Sequence, residues 1–288
     1  MRQTLGEIFG HKKIRVRNTI ITHRKRIMVN VLCIMGGPRK KGNTLQVVEK
    51  LIEYTKNGID ISCEYLFLKD KNINQCSGCY SCNLSGIHTC PVKKDDIEII
   101  FSKMQKADAI ILAAPTFTEN VPALTKSLFD RLNYLYHRPA FFGKPAVVVS
   151  TVGFYGVKGA LKQLSSIRDW GFNVVDELGI VPVQFGLKYK TKIENKIDKR
   201  IKKSAEKFLL ALNKPKEYKF NFITYAKFQA IQTSSEVTKY YTVADHEYYK
   251  DKEYYVDVKI PFYAKLIGYI THKILPGMIR NRFEEMKT

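Results

Sequence analysis

The stretch MVNVLCIMGGPRKKGNTLQVVEKLI, residues 28–52, decides the fold class of this chain. Met28–Met35 is an almost continuous apolar run, which predicts a buried β-strand. Gly36-Gly37-Pro38 breaks that strand, and apolar side chains then recur at helical spacing across Thr44–Thr55. The stretch therefore predicts one strand–loop–helix unit.

The same alternation continues along the chain. Further strands are predicted at Ile59–Leu68, Ala109–Ala113, Ala146–Val152 and Val174–Val181. Further helices are predicted at Asp95–Lys106, Pro122–Tyr136, Val157–Trp170 and Glu194–Leu212. Asp95 and Asp96 are expected to cap the first of these helices. Five strands that alternate with helices predict a doubly wound, five-stranded parallel sheet of the α/β class, which binds ligands at the carboxyl ends of its strands.

The composition of the 288 residues is that of a globular protein, since 45% are hydrophobic and 26% are charged. No uninterrupted apolar run approaches the length of about 18 residues that is needed to cross a bilayer. Residues 1–27 lack the apolar stretch of a secretory signal. We therefore predict a cytoplasmic protein without a transmembrane segment.

The formal net charge of +21 is concentrated at the two ends of the chain. Residues 1–27 contain eight Lys or Arg against one acid, and residues 190–288 contain twenty-one against twelve. Basic surfaces attract phosphates, nucleic acid, anionic lipid or acidic proteins, and they also serve solubility. Because no recognised nucleic-acid motif is present, we predict no nucleic-acid partner. Residues 1–27 are either a basic arm or a stretch upstream of a natural start at Met28.

The chain changes character after about Pro215. Ten of the seventeen tyrosines lie between Tyr218 and Tyr269, among short charged stretches, which indicates an appended aromatic and basic C-terminal extension. A helix predicted at Phe262–Phe283 is amphipathic and interrupted at Pro276-Gly277, and it either packs on its own domain or lies peripherally on a membrane surface. The predicted segments are residues 1–27, residues 28–213 and residues 214–288.

The loop GGPRKKGNT, residues 36–44, lies between the first strand and the first helix, where backbone amides form an anion site. It does not match the dinucleotide pattern G-x-G-x-x-G. Gly37 and Gly42 match the start of the Walker pattern, but Asn43 replaces the lysine that reaches the β- and γ-phosphates, which disfavours a nucleoside triphosphate. The remaining donors come from Arg39, Gly42, Asn43 and Thr44. Such a set suits a single terminal phosphate, as in FMN, and the alternative is a plain glycine-rich turn.

Three segments together carry a resemblance to a known family. They are the loop at residues 36–44, APTFTENVPALTKSLFDRL at residues 114–132 and TVGFYG at residues 151–156. In order and spacing they resemble the flavin-contacting segments of the flavodoxin-like NADPH-dependent FMN reductase family, over about residues 28–185. The resemblance implies a flavodoxin-like fold and an FMN-dependent enzyme that uses NADH or NADPH as co-substrate.

The resemblance also implies which residues bind FMN. The first segment would bind the phosphate, and the ring system would lie between the second and third segments. The implied cofactor-binding residues are Gly37, Arg39, Gly42, Asn43, Thr44, Pro115, Thr116, Phe117, Thr118, Asn120, Val121, Thr151, Val152, Gly153 and Gly156. Backbone amides beside the ring can stabilise the charge of a reduced flavin. A carboxylate beside that charge is unfavourable, so we expect Glu119 to face solvent.

A second motif, QCSGCYSCNLSGIHTCP at residues 75–91, places four cysteines within fifteen residues. Clustered cysteines in a chain of this length indicate metal or redox chemistry rather than a disulfide framework. The Cys-x2-Cys-x2-Cys spacing and the final Cys-Pro are similar to the bacterial ferredoxin run, with a longer last gap. Zinc, with His88 as a spare ligand, is an alternative.

The resemblance extends to this cysteine motif. Iron–sulfur flavoproteins, a branch of the same group, are similar in carrying a compact Cys-x2-Cys-x2-Cys and a later fourth cysteine after the second strand. The match implies that a [4Fe–4S] cluster is bound by Cys76, Cys79, Cys82 and Cys90. Metal-free relatives have a similar pattern, so a loop of free thiols over the flavin edge stays open. Cys33 and Cys63 are interpreted as ordinary buried residues.

Together these features predict an FMN-containing oxidoreductase that passes electrons to a quinone, a nitro or azo compound, free flavin or a redox protein. No catalytic side chain is named, because the cofactor supplies the chemistry. The alternative is a non-enzymatic electron-transfer protein or redox sensor. The resemblance implies a homo-oligomer. The tyrosine-rich extension is interpreted as a cover over the flavin or a dimer contact. Tyr136, His137 and Arg138 are interpreted as a solvated helix end, and the alternative is that they line the same rim as the extension.

Overall fold

The computed structural model of the protein describes residues 28–182, 190–214, 218 and 220–285, so the predicted arm at residues 1–27 lies outside the described residues. The strands are β1 (Val29–Met35), β2 (Ile61–Phe67), β3 (Ala109–Pro115), β4 (Pro145–Thr151) and β5 (Asn173–Ile180). The helices are α1 (Asn43–Lys56), α2 (Ser81–Leu84), α3 (Ile97–Lys106), α4 (Ala123–Arg131), α5 (Val157–Ser165), α6 (Lys190–Leu212), α7 (Phe222–Val237), α8 (Val243–Tyr249) and α9 (Phe262–Glu285).

The five strands form one parallel sheet in the order β2-β1-β3-β4-β5. This order confirms the predicted doubly wound sheet of the flavodoxin-like class. The direction of winding reverses between β1 and β3, because the chain first moves outward to β2 and then returns to the other side of β1. Ligands of such sheets bind at the carboxyl ends of the strands beside this reversal.

The central strands are buried on both faces, so each contributes to two cores. Leu32 and Ile34 of β1 face α3, α4 and α5, whereas Val31 and Cys33 face α1 and α6. This division follows from the strand geometry, in which successive side chains point to opposite faces. The nearly continuous apolar composition of β1, β3 and β4 is therefore what a parallel sheet covered on both sides requires.

The extension has a core of its own. Its buried residues all lie between residues 218 and 264, and they include Tyr225, Phe228, Tyr249 and Tyr254. The rings of Phe228 and Tyr249 have centroids 5.2 Å apart in an edge-to-face arrangement, which aromatic pairs prefer. Most of the buried aromatic surface of this region therefore serves its own packing.

Helix α9 continues through Pro276, so the predicted interruption at Pro276-Gly277 is wrong. A proline removes one backbone hydrogen bond, but contacts with α7 hold the preceding turns of the helix. Gly268 lies directly against the Gln229 side chain, and the Thr233 hydroxyl is 2.8 Å from Nδ1 of His272. Packing against α7 therefore outweighs the missing hydrogen bond.

Helix α9 also carries exposed apolar side chains on the face that points away from α7. These residues are Phe262, Leu266, Ile270, Ile274 and Met278. Among the described helices, none combines the length and the apolarity that spanning a membrane requires.

Candidate functional site

The first loop of the site connects β1 to α1 and leaves open space at its end. The Thr125 hydroxyl donates to the carbonyl of Gly36 at 2.8 Å, and a Cβ at Gly36 would lie 2.1 Å from that hydroxyl oxygen, so only glycine fits there. A Cβ at Gly42 would have no neighbour within 4 Å. Helix α1 starts at Asn43 without a side-chain cap, so its first N–H groups are left to a ligand or solvent.

All three segments that were predicted to contact flavin meet at the carboxyl ends of β1, β3 and β4. Thr44 Oγ1 lies 2.6 Å from Thr151 Oγ1, which joins the first segment to the third. The N–H of Thr116 donates to the carbonyl of Thr151 at 2.8 Å, which joins the second segment to the third. Pro115 packs against Gly37, where a Cβ would lie 3.0 Å from the proline ring. Residues from three distant parts of the sequence thus form one site.

The second segment closes in a tight turn. Phe117 and Asn120 exchange backbone hydrogen bonds of 2.7 and 2.9 Å, and Thr118 and Glu119 between them have φ values of 48° and 60°. Residues other than glycine rarely adopt such values, so the surrounding structure must hold this turn. Gly159 of α5 provides one support, because a Cβ there would lie 1.9 Å from the Glu119 carbonyl oxygen. The Glu119 side chain is exposed, as expected from the sequence.

Sequence reasoning missed Gly159. The available signal was a glycine inside a predicted helix, which costs stability and therefore indicates a packing or functional reason. Four of the residues implied to bind flavin are buried, namely Gly37, Val121, Thr151 and Val152. The apolar side chains of Val121 and Val152 therefore support the segments from behind. Arg39 lies on the exposed part of the first loop.

The second and third segments carry exposed aromatic rings. Phe117, Phe154 and Tyr155 are 46%, 83% and 69% exposed. The rings of Phe154 and Tyr155 are nearly perpendicular, with centroids 6.0 Å apart. Aromatic side chains exposed together mark a binding surface. A row of backbone donors beside aromatic surface fits a ligand that combines a phosphate with a flat ring, as FMN does.

The cysteine loop, residues 75–91, lies against the far end of α4. Cys90 Sγ is 3.5 Å from Nη1 of Arg131, which is in the last turn of that helix. Ala123, at the other end of α4, follows the turn at residues 117–120, and the helix rise places the two ends about 12 Å apart. Cys90 therefore lies near the end of α4 that is farther from this turn.

The four cysteines differ in their surroundings. Cys79 is exposed, whereas Cys76, Cys82 and Cys90 are partly buried. A hydrogen bond from the Ser81 hydroxyl lowers the pKa of Cys79 to about 7. Burial raises the pKa of Cys82, and the neighbouring thiols of Cys90 and Cys76 add to this effect. Within the described ranges, no three His, Cys, Asp or Glu side chains are gathered closely enough to hold a metal ion.

Two buried N–H donors, one in the cysteine loop and one beside it, have no hydrogen-bond partner in the part of the chain that the structure describes. They are Nδ2 of Asn83, within the loop, and Nε of Arg131, and the acceptor Oδ1 of Asn83 is unpaired as well. A buried donor left unpaired costs stability unless a ligand supplies the acceptor. The sulfur atoms of an iron–sulfur cluster accept such bonds. Four thiols and two unpaired donors therefore fit this class of group.

Asp95 and Arg131 form a buried ion pair beside Cys90. Their side chains are 3% and 2% exposed, and Nη2 of Arg131 is 3.0 Å from the Asp95 carboxylate. Asp95 was expected to cap α3, but its bond to the N–H of Ile97 is long, at 3.4 Å, and Asp96 makes no side-chain cap bond. The carboxylate of Asp96 instead accepts from the N–H of Asn72 at 2.8 Å. The acidic pair mainly fixes the segments around the cysteine loop.

Arg138 is buried, so its interpretation as part of a solvated helix end is wrong. Its side chain is 11% exposed and pairs with Asp245 of α8, which is 5% exposed. Its guanidinium also donates to the carbonyl of Cys82 and, at 3.2 Å, to the carbonyl of Asn83. The partner carboxylate lies 107 residues along the chain, so no local pattern could have indicated this pair.

Tyr248 and Tyr255 of the extension contact the domain at the end of the sheet opposite to the predicted flavin segments. The ring of Phe142, three residues before β4, stacks on Tyr255 with centroids 5.0 Å apart. Tyr248 Oη donates to the carbonyl of Pro139 at 2.9 Å. These residues lie at the amino ends of the strands. These two contacts do not support the interpretation of the extension as a cover over the flavin.

An open parallel sheet with this strand order, and a glycine loop and an uncapped helix at its reversal, defines a flavodoxin-like protein. The family described as NADPH-dependent FMN reductase matches residues 29–184, more than half of the chain, so the chain belongs to that family. This match confirms the family recognised from the sequence.

Curated relatives carry the name iron-sulfur flavoprotein. One, from Archaeoglobus fulgidus, is 30% identical over 155 residues, which cover 54% of this chain and 66% of the relative. Another, from Methanosarcina thermophila, is 33% identical over 138 residues, which cover 48% of this chain and 70% of the relative. About a third of each relative's length is thus unmatched. A solved azoreductase from Bacillus anthracis str. Sterne is similar at a TM-score of 0.49 and 14% identity, over 65% of this chain and 100% of that one, which carries no inference about function.

Proposed function

We propose that this protein is an FMN-dependent oxidoreductase that accepts hydride from NADH or NADPH. The observation that carries the proposal is the convergence of the three segments, shown by the 2.6 Å contact between the Thr44 and Thr151 hydroxyls beside the uncapped end of α1. Family membership supports it, because the family is described by reduction of FMN with NADPH.

The first loop binds the FMN phosphate. The N–H groups at the start of α1, the side chains of Asn43 and Thr44 and the Arg39 guanidinium supply donors, and the helix dipole favours the negative charge. Thr44 is oriented by its contact with Thr151. Since no lysine follows Gly42, the loop suits one phosphate better than a triphosphate chain.

The second and third segments hold the ring system. Bound FMN would supply the hydride and electron-transfer chemistry, so the protein need not supply an acid or base. The turn at residues 117–120 and the segment 151–156 provide walls and backbone donors. The exposed rings of Phe154 and Tyr155 offer apolar surface beside them. Because Glu119 is exposed, its carboxylate is free to stay in water, away from a reduced flavin.

We further propose that an auxiliary [4Fe–4S] cluster is bound by Cys76, Cys79, Cys82 and Cys90. The relatives named iron-sulfur flavoprotein support this proposal, and so do the unpaired donors of Asn83 and Arg131. The loop would have to close around the group, because three suitable ligands are not gathered in the described residues. The electron acceptor of the proposed oxidoreductase is a small molecule or a redox protein.

FMN binding tests the proposal directly. We expect the flavin-free full chain to quench FMN fluorescence on titration, and Thr44→Val to weaken binding about tenfold or more, since it loses a hydroxyl donor to a charged phosphate. Thr271→Val is the matched control, because within the described residues the Thr271 hydroxyl bonds only to its own helix, at the Ile267 carbonyl. Equal affinity for all three proteins, or no binding at all, would contradict the proposed site.

Anaerobic NADH or NADPH oxidation with a quinone separates the enzyme from the alternative of an electron carrier. Turnover that requires FMN and falls in Thr44→Val at limiting FMN supports the enzyme. Bound FMN that neither nicotinamide reduces would support a carrier or sensor.

Two features suggest partners for the proposed enzyme. The apolar face of α9 includes exposed Lys273, so we propose peripheral contact with an anionic lipid surface, where both kinds of side chain are stabilised. The chain should cosediment with phosphatidylserine vesicles and less with phosphatidylcholine vesicles, and Leu266→Glu should abolish the difference. We also propose, from the family resemblance, that the protein forms a homo-oligomer. Light scattering will measure the molecular mass of the particle in solution and so the number of chains in it.

A further inference from the structure

Two buried arginine–aspartate pairs hold the cysteine loop from different sides. One pair, Arg131 with Asp95, lies within the flavodoxin-like domain. The other pair, Arg138 with Asp245, joins that domain to the extension. A buried ion pair stabilises a protein only when further hydrogen bonds satisfy the remaining donors and acceptors. The other groups bound by each arginine therefore indicate what each pair does.

Two further donors of Arg138 bind the cysteine loop. Its guanidinium donates to the main-chain carbonyls of Cys82 and Asn83 while it is paired with Asp245. A planar guanidinium presents its donors in a fixed fork, so fixing one side of the fork fixes the other. The carboxylate of Asp245 thus sets the position from which Arg138 reaches the two carbonyls.

Hydrogen bonds also hold helix α8 against the flavodoxin-like domain. Asp245 also bonds through its second carboxylate oxygen to Nδ1 of His137, at 2.7 Å. Tyr249 Oη donates to the carbonyl of His137, and Tyr248 Oη donates to the carbonyl of Pro139 at 2.9 Å. Asp245 is therefore held in place from both its helix and the segment that it binds.

We propose that Asp245 is a positioning residue for the cysteine loop, through Arg138 and the carbonyls of Cys82 and Asn83. The C-terminal extension then sets the geometry of the middle of the loop, while Asp95 and Arg131 set the geometry at Cys90. The fixing of the loop does not require a metal. The role of the fixed loop, which is to present Cys82 to an iron–sulfur cluster, rests on the proposed function.

Site-resolved alkylation of the full chain tests this proposal without a cluster. Reduced protein is treated with iodoacetamide in the presence of a chelator, and mass spectrometry follows each cysteine. In Asp245→Asn we expect Cys82 to react about tenfold faster or more, because a charged hydrogen bond that restrains it is lost. Cys90 should react at the wild-type rate, since Arg131 still restrains it. Cys33, which is fully buried in the sheet, reports general unfolding.

Two further variants make the test specific. Glu247→Gln is the matched control, because Glu247 lies on the same helix and pairs only with the nearby Lys250 in the described structure, at 2.6 Å. It should leave every rate unchanged. Asp95→Asn should produce the reverse pattern: relative to wild type, the alkylation rate of Cys90 should rise more than that of Cys82. An unchanged rate at Cys82 in Asp245→Asn, or a rise at Cys33 as large as that at Cys82, would overturn the proposal.

Iron loading then separates this proposal from the proposed cluster. After anaerobic reconstitution, we expect Asp245→Asn to lose iron to a chelator about tenfold faster than wild type and Glu247→Gln to match wild type. If the wild type takes up no iron, the cluster is refuted while the alkylation result still decides the role of Asp245. If iron is held equally by wild type and Asp245→Asn, the positioning role for the cluster is refuted.

Discussion

The glycine loop and the cysteine loop each follow a strand of the same sheet, but they are held in different ways. The glycine loop is shaped by its own glycines and by short contacts such as that between Thr44 and Thr151. The cysteine loop is mostly without regular structure, and buried arginines from outside it bind its backbone and one thiol. The first loop is therefore a local motif, whereas the second depends on tertiary contacts. Mutations in distant residues should therefore affect the cysteine loop more than the glycine loop.

The largest expected effect comes from the buried pair beside Cys90. Asp95→Asn should lower the free energy of unfolding by about 3–5 kcal/mol, because it leaves Arg131 buried without its counter-ion. Urea denaturation measures this change. Asp130→Asn, which breaks the exposed pair with Lys126, should cost less than about 1 kcal/mol. A similar small cost for both variants would show that the cysteine loop does not depend on the buried pair.

An intermediate effect is expected where α5 supports the second flavin segment. Gly159→Ala places a methyl group 1.9 Å from the Glu119 carbonyl oxygen, so the turn must move. We expect FMN affinity to fall about tenfold, as overpacking of this kind costs 1–3 kcal/mol. Gly277→Ala is the control, because a Cβ there meets nothing within 4 Å. If fluorescence titration gives both variants wild-type affinity, the turn does not contribute to the flavin site.

The smallest expected effect concerns the exposed thiol of the cysteine loop. Because hydrogen bonding from Ser81 lowers the pKa of Cys79 to about 7, its thiolate fraction should rise through pH 7 and level off above it. In metal-free protein, the alkylation rate of Cys79 should follow that curve, and Cys82, whose pKa is raised, should still be gaining rate at higher pH. Ser81→Ala should move the Cys79 curve to higher pH. An unmoved curve would show that Ser81 does not set this pKa.

The same contrast explains what the sequence could reveal. The doubly wound parallel sheet and the meeting of the three predicted flavin segments could be predicted, because strand–loop–helix units and their glycines are local patterns. The burial of Arg138 was not, because its partner Asp245 belongs to a helix from another part of the chain. The support from Gly159 was visible only as an unexplained glycine in a helix.

The location of the extension was also beyond the sequence. Its tyrosines indicated a large apolar contact but not which edge of the sheet it would meet, since aromatic side chains suit a ligand cover and a domain core equally well. Contacts of Tyr248 and Tyr255 with Pro139 and Phe142 place it at the amino ends of the strands. Such pairings between distant segments have no local signature.

The visible absorption spectrum of the full chain, purified without oxygen and recorded before and after dithionite, tests the central claim most directly. We predict flavin bands above a broad shoulder, with both bleached on reduction, because FMN and an iron–sulfur cluster are each proposed to bind. Flavin bands alone would remove the cluster and leave the flavin enzyme. A colourless protein that also fails to bind added FMN would contradict the account.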